Sequence, residues 1–411
     1  KIQTKKIKRR EFLLTAGAAS LTALNPLRQV SAAAPAVERV IVIGAGIIGS
    51  AIGYQLSKRG CQVTVLDKVG PAAQASGNSF AWINASWSDT PDSYFSLRTH
   101  SLNEYHRLSE ELNLPIRWGG ALEWYHDADS TSEMTDGISL IQKGGAAAKM
   151  INRGQAADIE PNLDPQSDYL LAYSPADGAI DAQAATFAMI QGMLDNGGEL
   201  IAPAMVSDVA TTRKRAIVST DIGTFDADLV VVAAGTNAND IAHMAGLKTD
   251  LLMPATPGII VKTRPVEPLL NTVCYTTNSH FHQQADGRLI VAEKLNPPET
   301  TTHLNFLANQ PNVFPNSEFA MQHAKRILNT AGFYVPEIAT VEPERISIGW
   351  RPLPLDGLPT IGHVADQSRI YLASMHSGIT LAPIVGSLAS REILEGVRIN
   401  LLEKFRVERF Y

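Results

Sequence analysis

The chain alternates between short, continuously apolar runs and longer segments in which apolar residues recur every three or four positions. Arg39-Val40-Ile41-Val42-Ile43 is the first such run; β-branched and without polar alternation, it predicts a strand buried on both faces of a parallel sheet. Gly44-Ala45-Gly46-Ile47-Ile48-Gly49 follows directly, and Ile48, Ile52, Gln55, Leu56 and Arg59 then fall at helical spacing up to a stop at Gly60. Gln62-Val63-Thr64-Val65-Leu66 predicts a second buried strand, closed by Asp67. A third run, Asp228 to Val232, ends in Ala233-Ala234-Gly235-Thr236 and returns the chain to the same sheet. A fourth, Ile370-Tyr371-Leu372-Ala373-Ser374, leads into Met375-His376-Ser377-Gly378 and a helix to Gly396.

Between these runs the pattern changes. Tyr94, Leu97, Tyr105, Leu108 and Leu112 predict an amphipathic helix from about Ser93, and Trp118 to Tyr125 predicts a turn and strand whose aromatics belong to a core. Asp181 opens a helix expected to bury Phe187, Ile190 and Leu194 and to stop at Gly197-Gly198; strands are expected near Met205-Val206 and Ala216-Ile217-Val218. Residues 254–345 are punctuated by proline, with strand patterns at Gly258–Val261 and Arg288–Val291 and a helix near Glu318–Leu328, which predicts an antiparallel sheet. The expected class is α/β with an α+β second domain. A Rossmann-like domain (38–90, 150–245 and 346–400) interleaves with a mixed or antiparallel-sheet substrate domain (91–149 and 246–345).

The first strand, glycine turn and helix carry specific chemistry. Gly44 permits a tight turn, Gly46 lets backbone approach a pyrophosphate, and Gly49 lets the helix lie close to the strand, so phosphates meet the positive end of the helix dipole. Asp67, 18 positions after Gly49, stands where an acidic side chain accepts hydrogen bonds from an adenosine ribose. A loose loop would explain a glycine triplet alone, but not the flanking strand, helix and acid. Gly70 to Phe80 reads by composition as a surface loop, yet its small, donor-rich residues sit well to wrap the rest of a dinucleotide.

Composition narrows the classes. At 411 residues the chain exceeds one simple core; 45% hydrophobic, 18% charged and a net charge of -6 describe an ordinary globular protein, and no basic patch argues for nucleic acid. Cys61 and Cys274 lack metal-ligand spacing and read as buried thiols, and no metal is expected. The N-terminus is basic, with Arg9-Arg10-x-Phe12-Leu13, an apolar stretch to Leu24 and the small residues Ser31-Ala32-Ala33-Ala34. That is a twin-arginine-type export signal over 1–34, and its apolar stretch of about 13 residues is shorter than the ~20 a spanning helix needs. Cleavage near Ala33 or Ala34 and a periplasmic location are expected. A retained anchor facing the periplasm is the alternative.

Further motifs lie toward the C-terminus: Gly349-Trp350-Arg351-Pro352 running to Gly362, and His376-Ser377-Gly378. With Gly44, Gly46, Gly49, Asp67, Ala75-Ser76-Gly77-Asn78 and Val230 to Gly235, they make the chain resemble the FAD-dependent D-amino-acid oxidase superfamily, in particular its glycine oxidase and D-amino-acid dehydrogenase branches, over residues 38–400. The resemblance implies non-covalent FAD. Gly44, Gly46, Gly49 and Asp67 would hold its ADP half, Val206 would lie by the adenine, and Ser76, Gly77 and Asn78 would wrap the pyrophosphate and flavin. Ser377, Gly378, Ile379 and Thr380 would contact the isoalloxazine, with Ile47, Ile48, Lys68, Ala75, Ala234 and Gly235 completing the cofactor contacts.

The implied reaction oxidises an α-amino acid, a D-amino acid or a glycine-like one, to an imino acid that water hydrolyses to a 2-oxo acid and ammonia, with electrons leaving to oxygen or a membrane quinone. Arg351 would bind the substrate carboxylate as catalytic and substrate-binding residue, the alternative being a structural Arg351–Asp356 ion pair. His376 is the second catalytic candidate, as a loop residue by the flavin, and His280 and His282 are expected to line the substrate cavity. His280 to Gly287 also resembles membrane-attached L-amino-acid deaminases, which carry a carboxylate-binding arginine where this chain has His282. Cys274-Tyr275-Thr276-Thr277 resembles the covalent-flavin segment of monomeric sarcosine oxidase, but Cys274 lies too far before His376 for that role. Competing readings are oxidation of a secondary amine such as an N-alkyl amino acid or opine, L-amino-acid deamination, and a FAD-binding electron-transfer subunit without turnover of its own.

Overall fold

Val40 and Val42 pack to one side of their strand with Val63, Val65, Val231 and Tyr371, and Ile41 and Ile43 to the other with Val230, Val232, Ile370 and Leu372. Both faces are covered, which is why the run shows no polar alternation. The structure, a computed structural model, describes residues 37–86, 92–165, 169–293, 300–365 and 367–411. The expected export signal at 1–34 lies outside them, as do 87–90 at the end of the first expected segment.

Arg39–Ile43 pairs in parallel with Gln62–Leu66 on one side and Leu229–Val232 on the other. The whole sheet runs in the order 360–364, 367–374, 229–232, 39–43, 62–66, 199–201, parallel except for Thr360–Val364. An antiparallel meander (Val206–Thr211, Ala216–Thr220, Gly223–Ala227) covers one face. The helices that position the site are α1 (Ile47–Lys58), α2 (Asp92–Leu112), α3 (Ala182–Asp195), α4 (Ser317–Gly332) and α5 (Gly378–Glu395). Of these, α1 is buried along almost its whole length because α3 and α5 press against it at small residues. A Cβ on Gly386 would stand 2.7 Å from the Ala51 carbonyl oxygen, and one on Gly192 2.7 Å from the Tyr54 ring.

The face of α3 differs from the sequence expectation. Phe187 and Leu194 are exposed, and the buried stripe is Ala182, Ala185, Thr186, Met189, Ile190 and Met193. Small residues there allow the close crossing with α1, which a phenylalanine would prevent.

A second sheet of eight strands runs in the order 343–351, 256–265, 288–293, 279–283, 273–275, 121–123, 171–174, 149–151, antiparallel except where 273–275 lies parallel to 121–123. Helix α4 covers one face, setting Ala324, Ile327, Leu328 and Ala331 against Val261, Phe281 and Val291. The fold class is therefore the one expected, but the sheets divide the chain elsewhere than the segment boundaries did. From the segment expected in the substrate domain, α2 packs Tyr94 and Leu97 into the core beneath the parallel sheet, where its apolar stripe finds α5. Strands 149–151, 171–174 and 343–351 instead extend the eight-stranded sheet by edge pairing. No helix of the described residues is long and apolar enough to cross a membrane.

Candidate active site

A cavity of about 690 Å³ runs from the glycine turn to the eight-stranded sheet. At its first end the lining is mostly backbone. Gly44 has φ +111°, and a Cβ there would stand 2.3 Å from the Ala233 carbonyl oxygen. Gly49 is not in the lining; its Cβ would meet the Gly44 carbonyl oxygen at 1.9 Å, so its role is to let α1 touch the strand. Gly46 does line the cavity, with only Ser76 Oγ near its missing Cβ, at 3.2 Å. Ser76 Oγ accepts the Ile47 N–H at 2.9 Å, while the amides of Ile48 and Gly49 open the helix without a carbonyl one turn back. This is an anion site in waiting.

Asp67 lines the cavity but is already engaged: Oδ2 accepts the Ala45 N–H, and Oδ1 the Val69 and Gly70 N–H groups, each at 2.8 Å. It therefore fixes the glycine turn, and the remaining lone pairs of its carboxylate are what a ribose would meet. Lys68 lines the cavity and donates to Asn237 at 2.9 Å; Val206, Ala234, Gly235, Ala75, Ile47 and Ile48 line it too. Gly77 does not line this cavity, because its Cβ position abuts the Ala72 carbonyl oxygen at 2.2 Å and serves the closure of the loop. Asn78 lines it, with its side chain tied to the Gln74 carbonyl and to Arg345. Gly349 lets strand 343–351 pass that loop, since a Cβ there would stand 2.2 Å from the Asn78 carbonyl oxygen.

Further along, Ser377, Gly378, Ile379 and Thr380, the cap and first turn of α5, face the cavity. Pro383 lies inside this helix and has no N–H for the Ile379 carbonyl one turn earlier. The Tyr105 hydroxyl donates to that carbonyl instead, and Ser101 Oγ donates to the Thr380 carbonyl at 2.5 Å. Thr380 Oγ1 accepts the Asn84 N–H at 3.2 Å and lies 3.3 Å from the Trp82 carbonyl, so the hydroxyl ties neighbouring segments together. On the same face of α2 as Ser101 and Tyr105, Arg98 reaches Ser377 Oγ at 2.9 Å and Asn84 Oδ1 at 3.0 Å, and it lines the cavity.

At the far end Arg351 closes strand 343–351 and is open to the cavity. One N–H donates to the Pro257 carbonyl at 2.8 Å, and no carboxylate pairs with it among the described residues. The alternative pairing with Asp356 does not form: Asp356 is held by Arg409 through bonds of 2.6 and 3.1 Å. The protein packed around Arg351 pushes its pKa down and Tyr275 opposes that, but a guanidinium stays charged. Beside it, Tyr275 stacks on His280 at 5.3 Å and tilts against Trp82 at 5.6 Å, with Phe80 edge-on to His280 at 4.5 Å. Glu293 also lines the cavity, its carboxylate clamped by both N–H groups of Arg326. Burial raises the pKa of Glu293 and Arg326 opposes the rise.

Two histidine expectations change. His376 opens onto the cavity, yet the surrounding protein first, then Arg351 and Arg98, push its pKa down to about 4, which leaves the ring neutral. His282 does not line the cavity. It shares the strand face of His280, but Phe80 covers it, and its Nε2 lies 2.7 Å from the Phe80 carbonyl. Cys274 is fully buried in the core under α4, opposite in strand direction to the cavity-facing Tyr275. Trp82, Arg98, Tyr275 and Glu293 were not among the expected site residues. The available signals were a charge on the apolar stripe of α2, four residues from Tyr94, and an acid closing the buried strand Arg288–Glu293.

The family profile for FAD dependent oxidoreductases (DAO) matches residues 39–392, nearly the whole described chain. The chain belongs to the DAO family of FAD-dependent oxidoreductases. It is 24% identical to glycine oxidase from Geobacillus kaustophilus (strain HTA426) over 360 residues, covering 85% of this chain and 91% of that one. The crystal structure of glycine oxidase from Geobacillus kaustophilus superposes with a TM-score of 0.79, covering 90% and 98% of the two chains. An opine oxidase subunit from Agrobacterium tumefaciens (strain Ach5) is 22% identical, covering 90% and 97%. L-proline dehydrogenase from P. horikoshii superposes with a TM-score of 0.79 at 23% identity, covering 92% and 98%.

The cofactor of this DAO-family chain is FAD, and the cavity fits it in kind. Glycines keep backbone bare where a pyrophosphate would approach, the start of α1 would offer amides to its charge, and the first turn of α5 lines the same cavity.

Proposed function

We propose that this DAO-family chain oxidises the C–N bond of a small α-amino acid, a D-amino acid or a glycine-like one, to an imino acid that water then hydrolyses to a 2-oxo acid and ammonia. FAD, when bound, supplies the ring that accepts the two electrons and the hydrogen from the substrate carbon. The observation that carries the reading is Arg351, a charged fork open to the cavity with one N–H held by Pro257 and no carboxylate partner among the described residues. Two parallel charge-assisted bonds to a substrate carboxylate fix both position and orientation. The clamp as a whole contributes about 1.5–3 kcal/mol. Tyr275, His280 and Trp82 form the wall against which the substrate body rests. The neutral His376 ring is a hydrogen-bonding wall residue, since an amine that arrives uncharged needs no base.

A second reading, oxidation of a secondary amine, is favoured by that same wall: the aromatic rings offer apolar surface to an N-alkyl group. The names of the relatives span both, from glycine oxidase to opine oxidase and L-proline dehydrogenase. Electrons would pass to oxygen or a membrane quinone. The twin-arginine pattern at Arg9-Arg10 supports a periplasmic setting, with the segment cleaved or kept as an anchor.

Anaerobic mixing of the yellow holoenzyme with D- and L-amino acids, glycine, sarcosine and opines tests these readings together, since the compound that bleaches the flavin names the substrate class. Colour that persists with every compound rejects them in favour of an electron-transfer subunit. Arg351→Ala is expected to lower kcat/KM for the bleaching compound by one to two decades, the equivalent of ~1.5–3 kcal/mol, at unchanged FAD content. An unchanged kcat/KM rejects the carboxylate clamp.

A further inference from the structure

Arg98 and Arg406 are the buried arginines among the described residues, 3% and 4% exposed, and their surroundings are opposite. Arg406 meets the buried Glu392 through two N–H groups. Arg98 meets no carboxylate among the described residues. It donates to the neutral Ser377 Oγ and Asn84 Oδ1 and lies 4.8 Å from the Tyr94 ring centre; its buried Nε, like that of Arg406, has no hydrogen-bond partner. Asp177 is the acid close enough to feel its charge, but that carboxylate is bound to Ser86, to the Ala85 N–H and to Trp82. Burial also pushes Asp177 up to about 7, so it offsets the guanidinium only in part near neutrality.

A buried charge left without a counter-ion destabilises a fold by several kcal/mol unless something else answers it. The guanidinium lines the cavity beside the cap of α5, so the answering charge belongs to what the cavity holds. We propose that Arg98 is the fixed positive charge set against the negative charge that FAD gains on reduction. In that step the substrate C–H bond breaks, two electrons and one proton leave the carbon together, and the cofactor ring ends with one more negative charge. The later electron acceptor, oxygen or quinone, restores it. The inference rests on FAD binding and is independent of which amine is the substrate. Arg98 acts before any substrate carboxylate is involved, by favouring the reduced ring and any anion that adds to it.

The test uses substrate-free holoenzyme, with two readouts: sulfite affinity, followed by bleaching of the flavin band, and the two-electron midpoint potential against a reference dye. Arg98→Met and Arg98→Gln are each expected to weaken sulfite binding tenfold or more and to lower the midpoint by about 30 mV or more, the two-electron equivalent of tenfold. Arg98→Lys is expected to keep most of both. Glutamine retains a donor for Ser377 without the charge, so Arg98→Gln carries the test if the methionine variant yields no soluble holoprotein. Wild-type sulfite affinity and potential in Arg98→Gln, whether or not thermal stability or substrate KM changes, overturn the proposal and leave Arg98 a structural tie or a substrate contact.

Discussion

One end of the cavity is built from main chain and the other from side chains. Around the glycine turn the surfaces in contact are carbonyls and amides, and missing Cβ atoms at Gly44 and Gly49 would each stand within 2.3 Å of a backbone oxygen. Around Arg351 the surface is made by Trp82, Tyr275, His280, Glu293 and His376, which arrive from separate segments. The first arrangement admits no added atom, because backbone cannot rotate away. The second can change its chemistry without disturbing the fold, which is how one scaffold serves different amines.

The sharpest way to break this contrast is at neighbouring glycines. Gly49→Ala sets a methyl group 1.9 Å from the Gly44 carbonyl and is expected to destabilise by on the order of 4 kcal/mol or more, leaving little soluble yellow protein. Gly46→Ala meets only a serine hydroxyl at 3.2 Å and is expected to keep the fold while losing FAD on gel filtration. Thermal melts and the flavin-to-protein ratio separate the two, and a Gly49→Ala protein that melts like wild type removes the distinction.

A smaller effect comes from behind the side-chain wall. Burial, opposed by the bond to Phe80, pushes His282 down to about 4 from an ordinary 6.5. Between those values the unfolded chain binds a proton that the folded one refuses, so stability falls as pH falls, by up to about 3 kcal/mol for this residue. His282→Gln is expected to flatten the slope of unfolding free energy against pH in that window by up to one proton. An unchanged slope means the ring is already charged in the fold. The smallest effect is expected at His376. Its ring stays neutral down to about 4, so His376→Gln should change kcat/KM less than about fivefold, roughly 1 kcal/mol, and leave the acid limb of the pH profile in place. Loss of that limb identifies His376 as a proton acceptor.

The main-chain end was legible because its signature is local. Strand, glycine spacing and acid lie within 39–67, and each residue type has one conformational reason to be there. The side-chain end was legible at Arg351, His280 and His376, through family resemblance, and not at its other residues. Glu293 closes an apolar strand and Arg98 lies on the apolar stripe of α2, where a charge reads as a side chain reaching for water. His282 has the right parity for the cavity, but nothing in its own strand announces that Phe80 will cover it. The face of α3 departs from its pattern for the reverse reason: bulk is the usual mark of the core, and closeness to α1 selects small residues instead.

Pro383 ties α5 to α2 more firmly than packing alone would. By withholding one amide it makes a carbonyl at the cavity-facing turn depend on the Tyr105 hydroxyl, 274 positions earlier in the chain. Deleting that single oxygen atom, as phenylalanine would, removes the partner of a carbonyl in a turn far away in sequence, so the wall of the cavity depends on a helix that contributes nothing to the dinucleotide motif.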